Sequence, residues 1–202
     1  MTEHFYEPRK GHGLKHDPFK AIIAPRPIGW ISTVDVQGRV NLAPYSFFNA
    51  FSTFPPVLGF SSEGRKDSVN NAEATGEFVA NLVTGPLAQA MNATAAGVAP
   101  GVDEMQLAGL APAPCRFVRA PRVAAAAAAL ECKVTQIIQL KAADGGLLDS
   151  WLTLGEVVGV HIDAAFLHDG IFDTAAARPV ARCGYRGDYA EVTSIFEMIR
   201  PG

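Results

Sequence analysis

The chain has 202 residues, 49% of them hydrophobic, which fits one folded domain with a substantial core. A formal net charge of −3, with the basic residues scattered rather than gathered into a stripe, gives no electrostatic case for binding nucleic acid. There is no uninterrupted apolar run of membrane-spanning length, and the segment Met1-Thr2-Glu3-His4-Phe5-Tyr6-Glu7 lacks the basic and apolar regions of a signal peptide, so the expectation is a cytoplasmic protein with no membrane partner.

Residues 1–18 are polar and rich in Gly, His and Lys, and read as an arm ahead of a domain spanning 19–202. His12 and His16 have the i, i+4 spacing of a metal pair, but no third ligand is near them in the sequence, so no metal is expected there. From Phe19 to Val83 the pattern is strand, turn, strand. Ile28–Val34 and Val40–Tyr45 are expected to pair across the turn Asp35-Val36-Gln37-Gly38, where Gly38 accommodates a positive φ. Phe54-Pro55-Pro56 punctuates the run before the strand-like Val57–Ser61. Phe51 and Phe54 read as core, whereas Phe47 and Phe48 are divided between core and ligand wall.

Asp67 or Ser68 can cap a helix that continues through Ala74 and stops at Gly76, after which Glu77–Val83 resumes strand character. Gly85-Pro86 opens a second helix, and Asp103 caps a short third one through Leu107. Leu130–Leu140 and Leu148–Ile162 are rich in β-branched residues and are joined by the hairpin signal Ala143-Asp144-Gly145-Gly146. Ala124–Ala129 is helical by propensity, yet six residues do not nucleate a helix without packing. Cys115, Cys132 and Cys183 are far apart with no C-x-x-C pair, and read as buried free thiols. Strands dominate, and a closed antiparallel barrel would remove their exposed edges.

The segments PRPIGWIST (from Pro25), NLAPYSFFNAFS (from Asn41), PPVLGFS, RKDSVNN, TGEFVANLVT, GVDEMQLAGL and GEVVGVHID carry a resemblance to the flavin reductase-like family of FMN-binding split barrels. It runs in order from about Ala24 to about Tyr189. The resemblance implies a mainly β fold, an antiparallel FMN-binding split β-barrel with a few excursion helices, and a homodimer with flavin near the subunit boundary. It also places Ala124–Ala129 at the approach to a barrel strand, with extended or irregular backbone.

FMN needs donors for its phosphate, polar contacts for the ribityl chain and ring edge, and an apolar wall. Arg65, Lys66, Asp67 and Ser68, following Ser61 and Ser62, suit the phosphate, with the start of the next helix adding N–H groups; the bland alternative is a solvated charged turn capped by Asp67. Ser46, Phe47, Phe48 and Asn49, with Ser32 and Thr33 on the opposite strand end, offer the ring contacts. Arg26 would be a surface residue on its own, and the resemblance brings it near the flavin. Asn81 either meets the ligand or satisfies neighbouring backbone, and Arg182 either reaches a phosphate or forms an ion pair.

His161 either contacts nicotinamide or a substrate carboxylate, or is a packed, hydrogen-bonded strand residue. Ser150 stands where many short-chain flavin reductases carry the histidine of Gly-Asp-His, which puts nicotinamide use in doubt without affecting FMN. The leading expectation is NAD(P)H-dependent reduction of FMN, supplying reduced FMN to an acceptor or a partner monooxygenase. An FMN-binding carrier without nicotinamide turnover is the alternative, and a scaffold that has lost flavin is the third reading.

Overall fold

The computed structural model describes residues 2–99 and 101–201. One antiparallel sheet contains β1 (Gly29–Val34), β2 (Val40–Tyr45), β3 (Phe48–Thr53), β4 (Pro56–Glu63), β5 (Glu77–Leu82), β6 (Ala128–Lys141) and β7 (Leu147–Ile162). Their order is β2-β1-β5-β6-β7-β4-β3. β2 and β3 therefore end the sheet on opposite sides, although only Ser46 and Phe47 separate them in the chain. That short link draws the two edges together, and the Ser61 N–H fastens the corner by donating to the Phe47 carbonyl at 2.8 Å. The fold is a mainly β antiparallel barrel, as the turn signals and alternating polarity predict.

The expected hairpin forms with Gly29 opposite Tyr45 and Val34 opposite Val40, and Gly38 takes φ +83°. Strand alternation divides the apolar residues into two layers. Ile31, Leu58, Phe60, Phe78, Ala80 and Cys132 fill the barrel with Tyr45 and Val69. Trp30, one residue away from Ile31, instead packs outside with Leu42, Met91 and Met105. Each large side chain so buried contributes roughly 1.5–3 kcal/mol.

Helix α1 (Asp67–Thr75) starts one residue earlier than the capping signal predicts: Lys66 is the extended residue before it, and Asp67 and Ser68 lie within its first turn. Gly76, at φ +71°, ends it as expected. A 3-10 turn at Gly85–Leu87 leads into α2 (Ala88–Ala93), and α3 (Glu104–Leu107) is capped by Asp103, which accepts from Met105 N–H at 2.9 Å. Ala124–Ala129 is not helical. It forms a turn and enters β6 at Ala128, and the burial of Ala126, Ala127 and Ala129 outweighs local propensity.

Two expectations about side chains need correction. Phe51 and Phe54 are not core: they are 57% and 93% exposed, because Phe51 lies on the edge strand β3, Phe54 on the turn that follows it, and none of the described residues covers them. Of the three thiols, only Cys132 is buried, Cys115 and Cys183 being half-buried. Residues 2–18 are mostly irregular, and Arg9 ties this lead-in to the β6–β7 hairpin through Asp144 at 3.0 Å. Among the described residues no helix is long and apolar enough to cross a membrane.

Candidate functional site

The corner that closes the barrel is also where polar groups gather. Two adjoining hollows of about 340 and 170 Å³ share Pro44, Tyr45 and Lys66. The larger continues past Asp67, Ser68 and residues 95–98, and the smaller is lined by Lys20, Ser46, Phe47, Ser61 and Glu63. The end of β2, the two-residue link, the end of β4 and the start of α1 thus meet at one place.

This corner has the chemistry of an anion cradle next to an apolar wall. Lys66 has no carboxylate partner among the described residues. It stands at the N-terminus of α1, where the Val69 and Asn70 N–H groups donate to the Lys66 carbonyl at 3.0 Å, those of Asp67 and Ser68 have no acceptor among the described residues, and the dipole favours negative charge. The Ser68 hydroxyl accepts from Asn41 Nδ2 at 2.9 Å, which leaves its own proton to donate. Tyr45 is buried between the hollows, and its covered hydroxyl, near Ser62 and Ser68, has no hydrogen bond of good geometry. Phe47 is half-buried and lies beneath the Lys20 ammonium, 5.6 Å from its ring centre. On the far side Glu104 adds an opposing charge; burial pushes its carboxyl pKa up, although its Oε2 accepts from Leu42 N–H at 2.9 Å. An orphaned phenol, an unpaired ammonium, free helix N–H groups and an aromatic wall fit the phosphate and ring of FMN.

The structure brings Ser46, Phe47, Ser61, Lys66, Asp67 and Ser68 to this corner. Phe48 packs inward over Gly29, where a Cβ would sit 2.4 Å from its ring, and Asn49 is exposed on β3. Ser62 is buried and donates to Gly64 O at 2.9 Å. Arg65 turns away, pairing with Glu73 and stacking 4.5 Å from the Trp151 ring centre. Ser32, Thr33 and Asn81 line neither hollow. Asn81 donates to Trp30 O at 3.0 Å and accepts from Val123 N–H at 2.8 Å, Ser32 donates to Pro121 O at 2.5 Å, and Thr33 accepts from Asn71 Nδ2 at 3.1 Å. Arg26, far from being a surface residue, is buried, donates to the Lys20 and Ile23 carbonyls and lies 6.0 Å from the Phe47 ring centre. It faces Arg182 across a short strand pair, and both line a separate hollow of about 380 Å³.

Ser150 is half-buried in β7 opposite Glu63, directly behind the turn that carries Lys66. His161 is elsewhere. It lines a hollow of about 520 Å³ that shares no residue with the corner, and its Nε2 lies 2.6 Å from Glu131 Oε1. Glu131 also accepts from the backbone N–H groups of Arg116, Phe117 and Val118, at 2.9, 2.6 and 3.1 Å. Burial alone would raise its pKa, but these donors and His161 outweigh burial and hold it below the ordinary value. His161 is thus half-buried and hydrogen-bonded to Glu131, apart from the corner. Lys20 and Tyr45 also line the corner, although the sequence does not single them out: Lys20 sits just past a featureless lead-in, and Tyr45 reads as an ordinary strand end.

The same architecture is found in solved structures. Nitrilotriacetate monooxygenase component B from Bacillus cereus superposes with a TM-score of 0.88 at 28% identity, over 98% of this chain and 100% of that one. A Shewanella frigidimarina structure with a split barrel domain superposes at 0.80 and 22% identity, over 91% of this chain and 90% of that one. The fold is therefore the FMN-binding split barrel. The family described as "Flavin reductase like domain" matches residues 23–176, and the chain belongs to that family of flavin-related oxidoreductases. An uncharacterized Deinococcus radiodurans protein is 39% identical over 195 residues, covering 89% of this chain and 82% of that one.

Proposed function

We propose that the protein binds FMN at the barrel-closing corner and reduces it with NADH or NADPH, handing reduced FMN to an acceptor. The observation that supports this most directly is Lys66, an unpaired cation at a helix N-terminus lining both hollows. In this reading Lys66, Ser68 and the first-turn N–H groups hold the phosphate, while Ser46, Ser61 and Phe47 face the ribityl chain and ring. Arg65 can join them, because its partly exposed pair with Glu73 is worth about 1 kcal/mol or less and exchanges readily for a phosphate. Bound FMN supplies a hydride acceptor at N5, and the protein supplies orientation. A monooxygenase is the acceptor class suggested by the Bacillus cereus relative, named as component B of such an enzyme.

The test is anaerobic mixing of protein and FMN with each nicotinamide while the visible flavin band is followed. Bleaching with NADH or NADPH supports the reductase reading. FMN binding without bleaching by either leaves the second reading, an FMN carrier, which Ser150 in place of the family histidine favours.

A further inference from the structure

We propose that Cys115, Glu131 and His161 form a site for a thiophilic divalent cation of the zinc class, with one coordination position open to the adjoining hollow. One ligand atom from each of the three lies within 4.8 Å of the other two. A tetrahedral zinc ion holds its ligand atoms roughly 3.3–3.7 Å apart, so side-chain shifts of about 1 Å complete the geometry. A sulfur, an imidazole nitrogen and a carboxylate oxygen form the donor set that this class of cation takes.

The existing contacts prepare the carboxylate for a metal. Glu131 is only 1% exposed, and both of its oxygens already accept backbone N–H groups without help from His161: Oε1 from Arg116, Oε2 from Phe117 and Val118. Such outer contacts orient a ligating carboxylate. His161 Nε2 and Glu131 Oε1 are hydrogen-bonded across 2.6 Å, and the two must part by about 1 Å to admit a cation between them. On binding, the imidazole carries its proton on Nδ1 and the Cys115 thiol releases its own, so thiolate and carboxylate together balance the charge of the ion.

The three ligands also come from separate elements. Glu131 is on β6, His161 on β7, and Cys115 on the segment that covers the barrel's outer face between them. The open side meets the hollow of about 520 Å³ lined by Arg116 and Arg122, neither of which has a carboxylate partner among the described residues. Arg122 Nε is covered and unpartnered. The fourth ligand is thus water or a small anion held by these guanidinium groups.

The site lies apart from the Lys66 corner and needs no flavin, so its test is independent of the reductase reading. Full-length protein stripped with EDTA is titrated with Co²⁺ and then with Zn²⁺, with circular dichroism as the check on folding. The expected result is a near-ultraviolet thiolate-to-cobalt charge-transfer band that saturates at one equivalent and is bleached by Zn²⁺. Cys115→Ser should abolish the band, His161→Gln should weaken Co²⁺ binding at least tenfold, and Cys183→Ser should change neither. Absence of a saturable band in the wild-type protein overturns the proposal, as does a band that survives Cys115→Ser or vanishes with Cys183→Ser. His161 is half-buried and its Gln variant keeps a hydrogen-bonding side chain, so that arm holds even if Cys115→Ser fails to fold.

Discussion

Single side chains at this corner carry separable energies. Lys66 is exposed and makes no ion pair among the described residues, so replacing it removes little from the fold and, in the proposed reading, a charge-assisted contact from a bound phosphate. Such a contact is worth roughly 1.5–3 kcal/mol, and Lys66→Ala is expected to weaken FMN by about one to two powers of ten in a flavin-fluorescence titration. An unchanged dissociation constant would remove Lys66 from the site. Two buried glutamates should respond to pH in opposite senses. Glu77 is paired with Lys133 at 2.8 Å and Arg119 at 3.3 Å; burial alone would raise its pKa, but these partners hold it below the ordinary 4.5. The unfolded chain therefore takes up the proton first on acidification. Glu77 stabilises the fold above about pH 4.5, and that contribution is lost as pH falls through the folded value. Glu77→Gln should flatten the acid limb of a plot of urea midpoint against pH. Burial raises the Glu104 pKa instead, so its charge costs stability near neutrality and is relieved on acidification. Glu104→Gln should raise the midpoint at pH 7 and converge with wild type in acid.

At the scale of elements, packing inside the barrel depends on glycines as much as on large residues. A Cβ on Gly155 in β7 would lie 2.5 Å from the buried Phe78 ring. Gly155→Ala is expected to destabilise by about 1–3 kcal/mol, lowering the thermal midpoint by roughly 2–4 °C per kcal/mol; an unchanged midpoint would mean the ring has room to move. The β1–β2 hairpin and the Gly76 stop were legible in the sequence because turn chemistry there is local. So was the cluster Ser46, Phe47, Lys66 and Ser68, since short segments deliver it whole. The rest depends on long-range pairing. Between Val157 and Gly159 the β6–β7 register slips by one residue, so Val157 faces the barrel while Gly159 and His161 emerge outside beside Glu131 and Ala129. Simple alternation would place His161 with Val157, and nothing local announces the bulge. Phe51 and Phe54 differ from expectation for a similar reason: apolarity does not reveal that a strand and the turn after it lie at the edge of the sheet.

For the whole molecule, that edge strand is the conspicuous unfinished surface. An uncovered strand edge carrying large apolar side chains invites pairing with another chain. We expect a homodimer at micromolar concentration by light scattering, built on this face, and the double variant Phe51→Asp with Phe54→Asp should shift it to monomer without lowering the thermal midpoint of the barrel. A wild-type monomer that still bound FMN tightly would contradict the subunit-boundary reading of the site.

The two-residue link between β2 and β3 makes the girth of the barrel and the shape of the ligand wall a single variable. One residue inserted there would shift strand parity, turning Phe48 away from Gly29 and presenting Asn49 in its place, while also loosening the seam held by Ser61. The β6–β7 turn around residues 142–146 lies in the open and bears no such double duty. This scaffold can therefore acquire a new ligand at its seam only by exchanging side chains, and length variation has to be accommodated at its outlying hairpins.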